Sequence, residues 1–257
     1  MIHGKYINQV LESIRSQSFQ DYETIIVAKS DLVLEPLDHD VRLIRANLGT
    51  LSARYVGHMA SHGDFSLLLD ETRKLSLNCL LKLSESSYDM SVIPERENIT
   101  GIWSRICDLD RVTTGRNRSL IPSKNTLYVL PRYFRSKLLQ DAFEVARSKS
   151  ANIFDTIVLG ELEILFLEAL NMSNNIGSVD GCSLTHFGDE TFLDTLKKYI
   201  KYGKTKKILD GTSYGDSFRL SNFVRRNISI GTALSLAPFF GVKLLGVISG
   251  VIASRFS

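Results

Sequence analysis

Short apolar runs of strand length alternate with helix-patterned segments between residues 7 and 83, and this alternation is the strongest constraint on the fold. Ile7, Val10, Leu11 and Ile14 recur at the spacing of one helix face. Thr24 to Ala28 (TIIVA) reads as a buried strand, and Leu43 and Ile44 as the middle of another. Asn47 to Thr50 is a turn, after which Leu51, Tyr55 and Met59 mark a second helix that closes at Gly63. Phe65 to Leu69 (FSLLL) is a third apolar run, stopping at Asp70, and Ser76 fits the N-cap of a helix through Leu83. Helix, strand, strand, helix, strand, helix predicts an α/β protein with a parallel sheet covered by helices.

The second half is less regular. Residues 95–120 are polar and rich in arginine with no sustained period, and read as a long loop or small helices. Leu127 to Leu130 reads as a short strand, and Pro131 lies next to a helix reaching Arg147. Asp155 to Leu170 reads as one strongly apolar helix with Glu161 and Glu168 on one face, Ser178 to Leu184 as a strand, and Thr191 to Lys207 as a basic helix. There is no internal repeat and no long linker, so one domain over residues 1–226 plus a tail over 227–257 is expected. With 44% hydrophobic and 23% charged residues over 257 positions, a disordered chain and a disulfide-stapled miniprotein are excluded. Cys79, Cys107 and Cys182 lie far apart with no CxxC spacing, so reduced thiols in a cytosolic environment are expected.

Charge is unevenly placed. Lys197 to Arg226 holds nine basic residues against Asp210 and Asp216, a local +7 that leaves −4 for the rest of a chain totalling +3. A nucleic-acid binder would spread basic charge over a surface interleaved with aromatics, so no nucleic-acid partner is expected. Here the basic stretch runs into an apolar tail, the arrangement expected at an anionic membrane surface. Ile228 to Val242 is uncharged for 15 residues, interrupted by Pro238 and Gly241, and Lys243 divides it from Leu244 to Ala253. Two short interfacial segments anchored by Arg225, Arg226 and Arg255 fit this pattern better than a straight span or burial in a homo-oligomer.

In an open parallel sheet ligands bind beyond the carboxyl ends of the strands. Asp31, just past TIIVA, and Asp70, immediately after FSLLL, occupy such positions. A carboxylate there can bind a ribose hydroxyl or hold a hard cation; a loop aspartate capping a turn is the alternative for each.

His3-Gly4-Lys5-Tyr6-Ile7, Leu11-Glu12-Ser13-Ile14, Gln17-Ser18-Phe19, Asp21-Tyr22-Glu23 and Ile25-Ile26-Val27, taken in order, resemble the opening of family 2 glycosyltransferases. Asn47-Leu48-Gly49, Ser52-Ala53-Arg54, Gly57, Gly63-Asp64-Phe65 and Leu68-Leu69-Asp70 resemble its next block, and Pro131-Arg132-Tyr133-Phe134, Gly160-Glu161, His186 and Lys198-Tyr199 its acceptor-side landmarks. The resemblance implies a GT-A-like (Rossmann-like) fold, a mixed sheet with flanking helices. It implies inverting transfer of a sugar from a nucleotide-sugar donor to a hydroxyl of a lipid-linked or polysaccharide acceptor. It further implies Asp31 at the donor nucleoside, Asp70 at the diphosphate or a divalent cation (Mg²⁺ or Mn²⁺), Glu161 as catalytic base, and His186 over the acceptor or cation site. For Glu161 the alternative is a solvated helix face, and for His186 a satisfied structural histidine.

The departures are specific. The family's first strand does not precede the opening motif, which suggests a reading frame begun too late. Lys29-Ser30-Asp31 replaces the usual acidic pair, Asp70-Glu71-Thr72 replaces Asp-x-Asp, and Leu162 replaces the second carboxylate of Glu-Asp. Arg73 and Lys74 follow Asp70 and offer positive charge for a diphosphate without metal, solvent exposure being the alternative. The expected function is a glycosyltransferase, cytoplasmic and peripheral at the inner face of the cell membrane. The alternative is a non-catalytic glycosyltransferase-like scaffold or partner subunit at that membrane.

Overall fold

The computed structural model describes residues 4–31, 41–114, 121–123, 130–157, 159–215 and 229–254. The chain is a mixed α/β protein. Helix α1 (Ile7–Arg15) buries Ile7, Val10 and Leu11, the face its spacing marks. Strand β1 (Thr24–Ala28) pairs in parallel with β2 (Val41–Arg45), Thr24 opposite Val41 and Ala28 opposite Arg45. Ile7, Leu11, Ile26 and Ala28 form a small core between α1 and this pair. Helix α2 (Thr50–Met59) follows, then β3 (Phe65–Leu67), β4 (Arg73–Leu75) and α3 (Cys79–Ser84). Helix α3 starts later than the Ser76 expectation, because Asn78 at φ 60° makes the turn into it; the Asn78 Oδ1 accepts from the Ser18 hydroxyl at 2.8 Å.

The second half differs most from its sequence reading. Strands β5 (Met90–Val92) and β6 (Glu95–Glu97) lead into a twelve-residue helix α4 (Ile102–Thr113), where a loop or small helices were expected. Strand β7 (Pro131–Arg135) and helix α5 (Ser136–Lys149) follow; most of the strand expected at 127–130 lies outside the described residues. The single helix expected from Asp155 is two, α6 (Ala151–Thr156) and α7 (Glu161–Leu170), parted by Gly160 at φ 89°, a conformation other residues rarely adopt. The strand expected over 178–184 is likewise two, β8 (Ile176–Ser178) and β9 (Leu184–His186). Helix α8 (Phe192–Leu209) is capped by Thr191, whose hydroxyl accepts from the Asp194 N–H.

The sheet is mixed rather than all parallel. Strands run β3-β7-β5-β8 in one sheet, with β7 antiparallel to both neighbours and β5 parallel to β8. A three-stranded sheet, β4-β9-β6, stands beside it. Helices α2, α5, α6 and α7 pack with the four-stranded sheet around Leu51, Met90, Phe134, Phe143, Phe154 and Phe166. Truncating one such phenylalanine to alanine costs about 3–5 kcal/mol.

Two expectations are corrected outright. Cys79 and Cys182 are joined by a disulfide across 103 residues, with Cα atoms 4.5 Å apart, so these two thiols are not reduced. Cys107 is free and buried, and burial pushes its thiol up to about 12. The tail is one continuous helix, α9 (Ile230–Ala253), not two segments. Pro238 removes the bond to the Leu234 carbonyl, and because both residues are exposed that carbonyl is not stranded in a core. Arg225, Arg226 and Arg255, expected as anchors, lie outside the described residues.

Candidate active site

Two local devices position the centre of the site. At the start of α2 the Gly49 N–H donates to the Asp155 carbonyl at 3.1 Å and the Thr50 N–H to that of Ile157 at 2.8 Å. A Cβ on Gly49 would lie 2.5 Å from the Asp155 oxygen, so glycine is what lets α2 approach the end of α6. Gly160 then turns the chain so that Glu161 is the first residue of α7, facing Arg54 one turn into α2. Arg54 Nη2 donates to Glu161 Oε1 at 3.1 Å and also to Asp70 Oδ1.

Cross-strand register supplies the rest. Arg73 on β4 and Glu97 on β6 both lie opposite His186 on β9. Glu95, two residues before Glu97, shares its face of β6. Asp70 Oδ2 accepts from Arg73 Nη1 and, at 3.3 Å, from Arg132 Nη1. Glu95 Oε1 accepts from Arg73 Nε and Arg132 Nε, both at 2.9 Å, and its Oε2 from Arg111 Nη1 at 2.6 Å. Arg111 Nε reaches Glu97 Oε2 at 2.5 Å. A chain of paired charges thus runs from Glu161 through Arg54, Asp70, Arg73 and Arg132, Glu95 and Arg111 to Glu97 and His186.

The electrostatics follow from burial and partners. Burial alone would raise the Asp70 carboxyl, but Arg54, Arg73 and Arg132 outweigh it and hold the group far below the usual carboxylate range. Glu95 behaves the same way through Arg73, Arg132 and Arg111. Burial raises Glu97, only partly opposed by Arg111. His186 is 5% exposed, and burial together with Arg111 pushes it well below its ordinary value, so the ring is neutral. Its Nδ1 lies 2.6 Å from Arg111 Nη2 and 2.8 Å from Glu97 Oε2, and a neutral ring can satisfy one of them at a time. With the proton on Nδ1 the ring donates to Glu97; with the proton on Nε2, Nδ1 accepts from Arg111, and in neither tautomer is the His186–Glu97 contact an ion pair.

Of the residues singled out in the sequence, Asp70, Arg73, Glu161 and His186 come together. Asp70 is the exposed rim, its side chain 32% accessible against 8% for Arg54 and 15% for Arg73. His186 sits inside the cluster as a satisfied buried histidine. Lys74 does not join, because alternation along β4 turns it to the opposite face from Arg73, into solvent. Asp31 lies in an exposed turn three residues past β1 and makes no ion pair among the described residues. Glu95, Glu97 and Arg111 were not singled out, and Arg54 and Arg132 stood only within family-like motifs without a role; the alternating carboxylates of Glu95-Arg96-Glu97 are the signal in the sequence that marks two of them.

The donor set does not fit the divalent cation expected at Asp70. Both its oxygens accept from guanidinium groups, the carboxylates of Glu161 and Glu95 are bound to the same arginines, and no group of three or more His, Cys, Asp or Glu residues among those described could hold a metal. The arrangement offers instead a cationic wall of Arg54 and Arg73 behind one accessible carboxylate, with a second carboxylate on Arg54. That pairing suits a ligand carrying both phosphate and hydroxyl groups.

No protein-family model matches the sequence, and no curated protein matches it. Solved structures do. Residues 1–349 of S. aureus TarS, a glycosyltransferase, superpose over 99% of this chain and 81% of that one, with 13% identity and a TM-score of 0.50. A longer TarS structure is 15% identical, covering 93% of this chain and 41% of that one, TM-score 0.47. The 1–349 structure in complex with UDP-GlcNAc is 16% identical over 93% of this chain and 68% of that one, also at 0.47. The chain therefore has the α/β fold of a glycosyltransferase structure.

Proposed function

We propose that the chain is a nucleotide-sugar-dependent glycosyltransferase of the family 2, hexosyltransferase type, whose active centre is the Asp70–Arg73–Arg54–Glu161 end of the charged cluster. The observation that carries this reading is that one arginine, Arg54, bridges Asp70 and Glu161, residues from the carboxyl end of β3 and the start of α7. The TarS-like fold supports it.

The acceptor is a hydroxyl of a lipid-linked or polysaccharide glycan, at the inner face of the cell membrane. Glu161 accepts the proton of that hydroxyl as its oxygen forms a bond to the anomeric carbon. The bond from that carbon to the diphosphate oxygen breaks on the opposite face, inverting the centre, and the electron pair leaves with the diphosphate. Arg73 and Arg54 receive the developing negative charge, as preorganised donors in a site with little water. Asp70 exchanges its guanidinium partners with the diphosphate and hydrogen-bonds the donor's hydroxyl groups.

A thermal-shift panel of nucleoside diphosphates and nucleotide sugars tests donor binding, since a ligand of the native state raises the melting temperature. Transfer assays with Glu161→Gln then test the base: full activity in that variant removes Glu161 from the chemistry. A second reading, a non-catalytic scaffold of the same fold, is favoured by the arginine partners on Asp70, Glu95 and Glu161. It predicts no shift with any nucleotide.

A further inference from the structure

The helix α9 presents two unlike sides. One is closed against α8 by glycines: a Cβ on Gly203 would lie 2.2 Å from the Val247 carbonyl oxygen, and one on Gly250 2.1 Å from that of Ile200. The only charge in α9, Lys243, also turns inward. Its Nζ lies 3.1 Å from Asp110 Oδ2 on α4 and 4.2 Å from the centre of the Phe239 ring. The outer side is left uncharged, with Leu234, Leu245 and Ile248 all exposed.

A separate apolar patch lies on the inward side of α9, where α4, α8 and α9 meet around the buried Phe239. Trp103 on α4 packs against Phe192 on α8 and Phe239 on α9, with ring centres 6.4 and 5.9 Å apart. Beside it Ile102 is 83% exposed, and Phe192 and Leu193 are exposed too. Along α8, Lys197, Lys201 and Lys204 are exposed at the i, i+4, i+7 spacing of one stripe. Each is the residue after one that touches or flanks the α9 seam (Leu196, Ile200, Gly203), so the stripe borders the contact with α9. None of the three makes an ion pair among the described residues.

We propose that the exposed apolar side of α9 docks on an anionic phospholipid bilayer, with α9 lying in the interface and the α8 lysines on the headgroups. Charge complementarity selects the lipid surface as occupant: an uncharged helix side, bordered on α8 by three lysines that make no ion pair among the described residues, matches the layered chemistry of an anionic leaflet. A transmembrane course for α9, although 24 residues are long enough, would tear open the glycine seam and strip Lys243 from Asp110. That the acceptor is carried by lipid rests on the glycosyltransferase reading; the docking itself does not.

Co-sedimentation of the full chain with phosphatidylcholine vesicles, with and without phosphatidylglycerol, tests the proposal. Binding to the anionic vesicles only, weakened by salt and released by alkaline carbonate, is the expected result. The double variant Leu245→Asp/Ile248→Asp weakens binding by at least about tenfold through lost apolar burial. Lys201→Glu/Lys204→Glu, on an exposed helix face that leaves folding intact, weakens it by about tenfold or more. Unchanged binding in both variants, resistance to alkaline carbonate, or a dimer in light scattering that buries this face without vesicle binding would each overturn it. Vesicle binding without any nucleotide thermal shift leaves the docking face standing and removes the glycosyltransferase reading.

Discussion

The charged cluster and the packed pair of helices α8 and α9 depart from ordinary burial in opposite directions. Glu95, Glu97, Arg111 and Arg132 are buried although charged, whereas Leu234, Leu245 and Ile248 are exposed although apolar. Burial of a charge is tolerated only where each partner stays in place, and exposure of an apolar face only where something covers it or its area is small. The cluster meets its condition internally, through a chain of pairs drawn from two sheets and three helices. The proposed bilayer docking would meet the condition of the helix pair. On the proposed readings, one region recognises a small polar ligand and the other a large apolar partner.

Unequal responses to substitution would sharpen that contrast. The largest effect is expected in the cluster: Glu95→Gln removes the charge shared by Arg73, Arg111 and Arg132 and should destabilise the chain by about 3–5 kcal/mol in urea unfolding. Leu245→Asp on the outer side of α9 should change stability by no more than about 0.5 kcal/mol. Equal costs would dissolve the distinction. Next comes the disulfide, which ties α3 to the segment leading into β9 and so to His186. Cys79→Ala with Cys182→Ala should cost about 2–5 kcal/mol, seen as a lower denaturation midpoint. Gly203→Leu should force α8 off α9 and cost about 1–3 kcal/mol, while leaving nucleotide binding untouched.

The smallest effect is on pH dependence. His186 is held neutral, below its unfolded value, so its contribution is complete above about pH 6.5 and declines as pH falls below it, where the unfolded chain takes up the proton. Asp70 and Glu95, also depressed, add a second loss below about pH 4, as their unfolded carboxyls protonate first. Glu97, raised, works the other way: the folded chain takes up its proton first, so its gain comes as pH falls toward about 4.5, ahead of the second loss. Unfolding midpoints of His186→Asn against the parent across this range should show the first decline removed and the second kept.

How much of this was legible in the sequence divides along the same line. Where apolar side chains face the core, the period is explicit: β1 spans the five residues read as a strand, and α1 buries the face its spacing marks. Asp70 stood out because a carboxylate ends an apolar run, and Glu161 through the resemblance of Gly160-Glu161 to a family landmark. β6 and α4 were invisible because their buried faces carry Glu95, Glu97, Asp108, Asp110 and Arg111, so the pattern that announces a helix was written in charge. Neither Gly160 as a break nor the pairing of Cys79 with Cys182 could be read from spacing, since both depend on what the fold brings near. Pro238 misled for a different reason: a helix end was inferred where an exposed carbonyl tolerates the missing bond.

Calorimetric titration of nucleoside diphosphates in the presence of EDTA, into the parent chain and into Arg73→Gln, puts the central claim to its most direct test. The account predicts that at least one nucleoside diphosphate binds the parent without metal, and that Arg73→Gln weakens it by at least about tenfold, the loss expected for one hydrogen bond to a charged group. Binding of equal strength in the two proteins, or no binding of any nucleoside diphosphate to the parent, would contradict it.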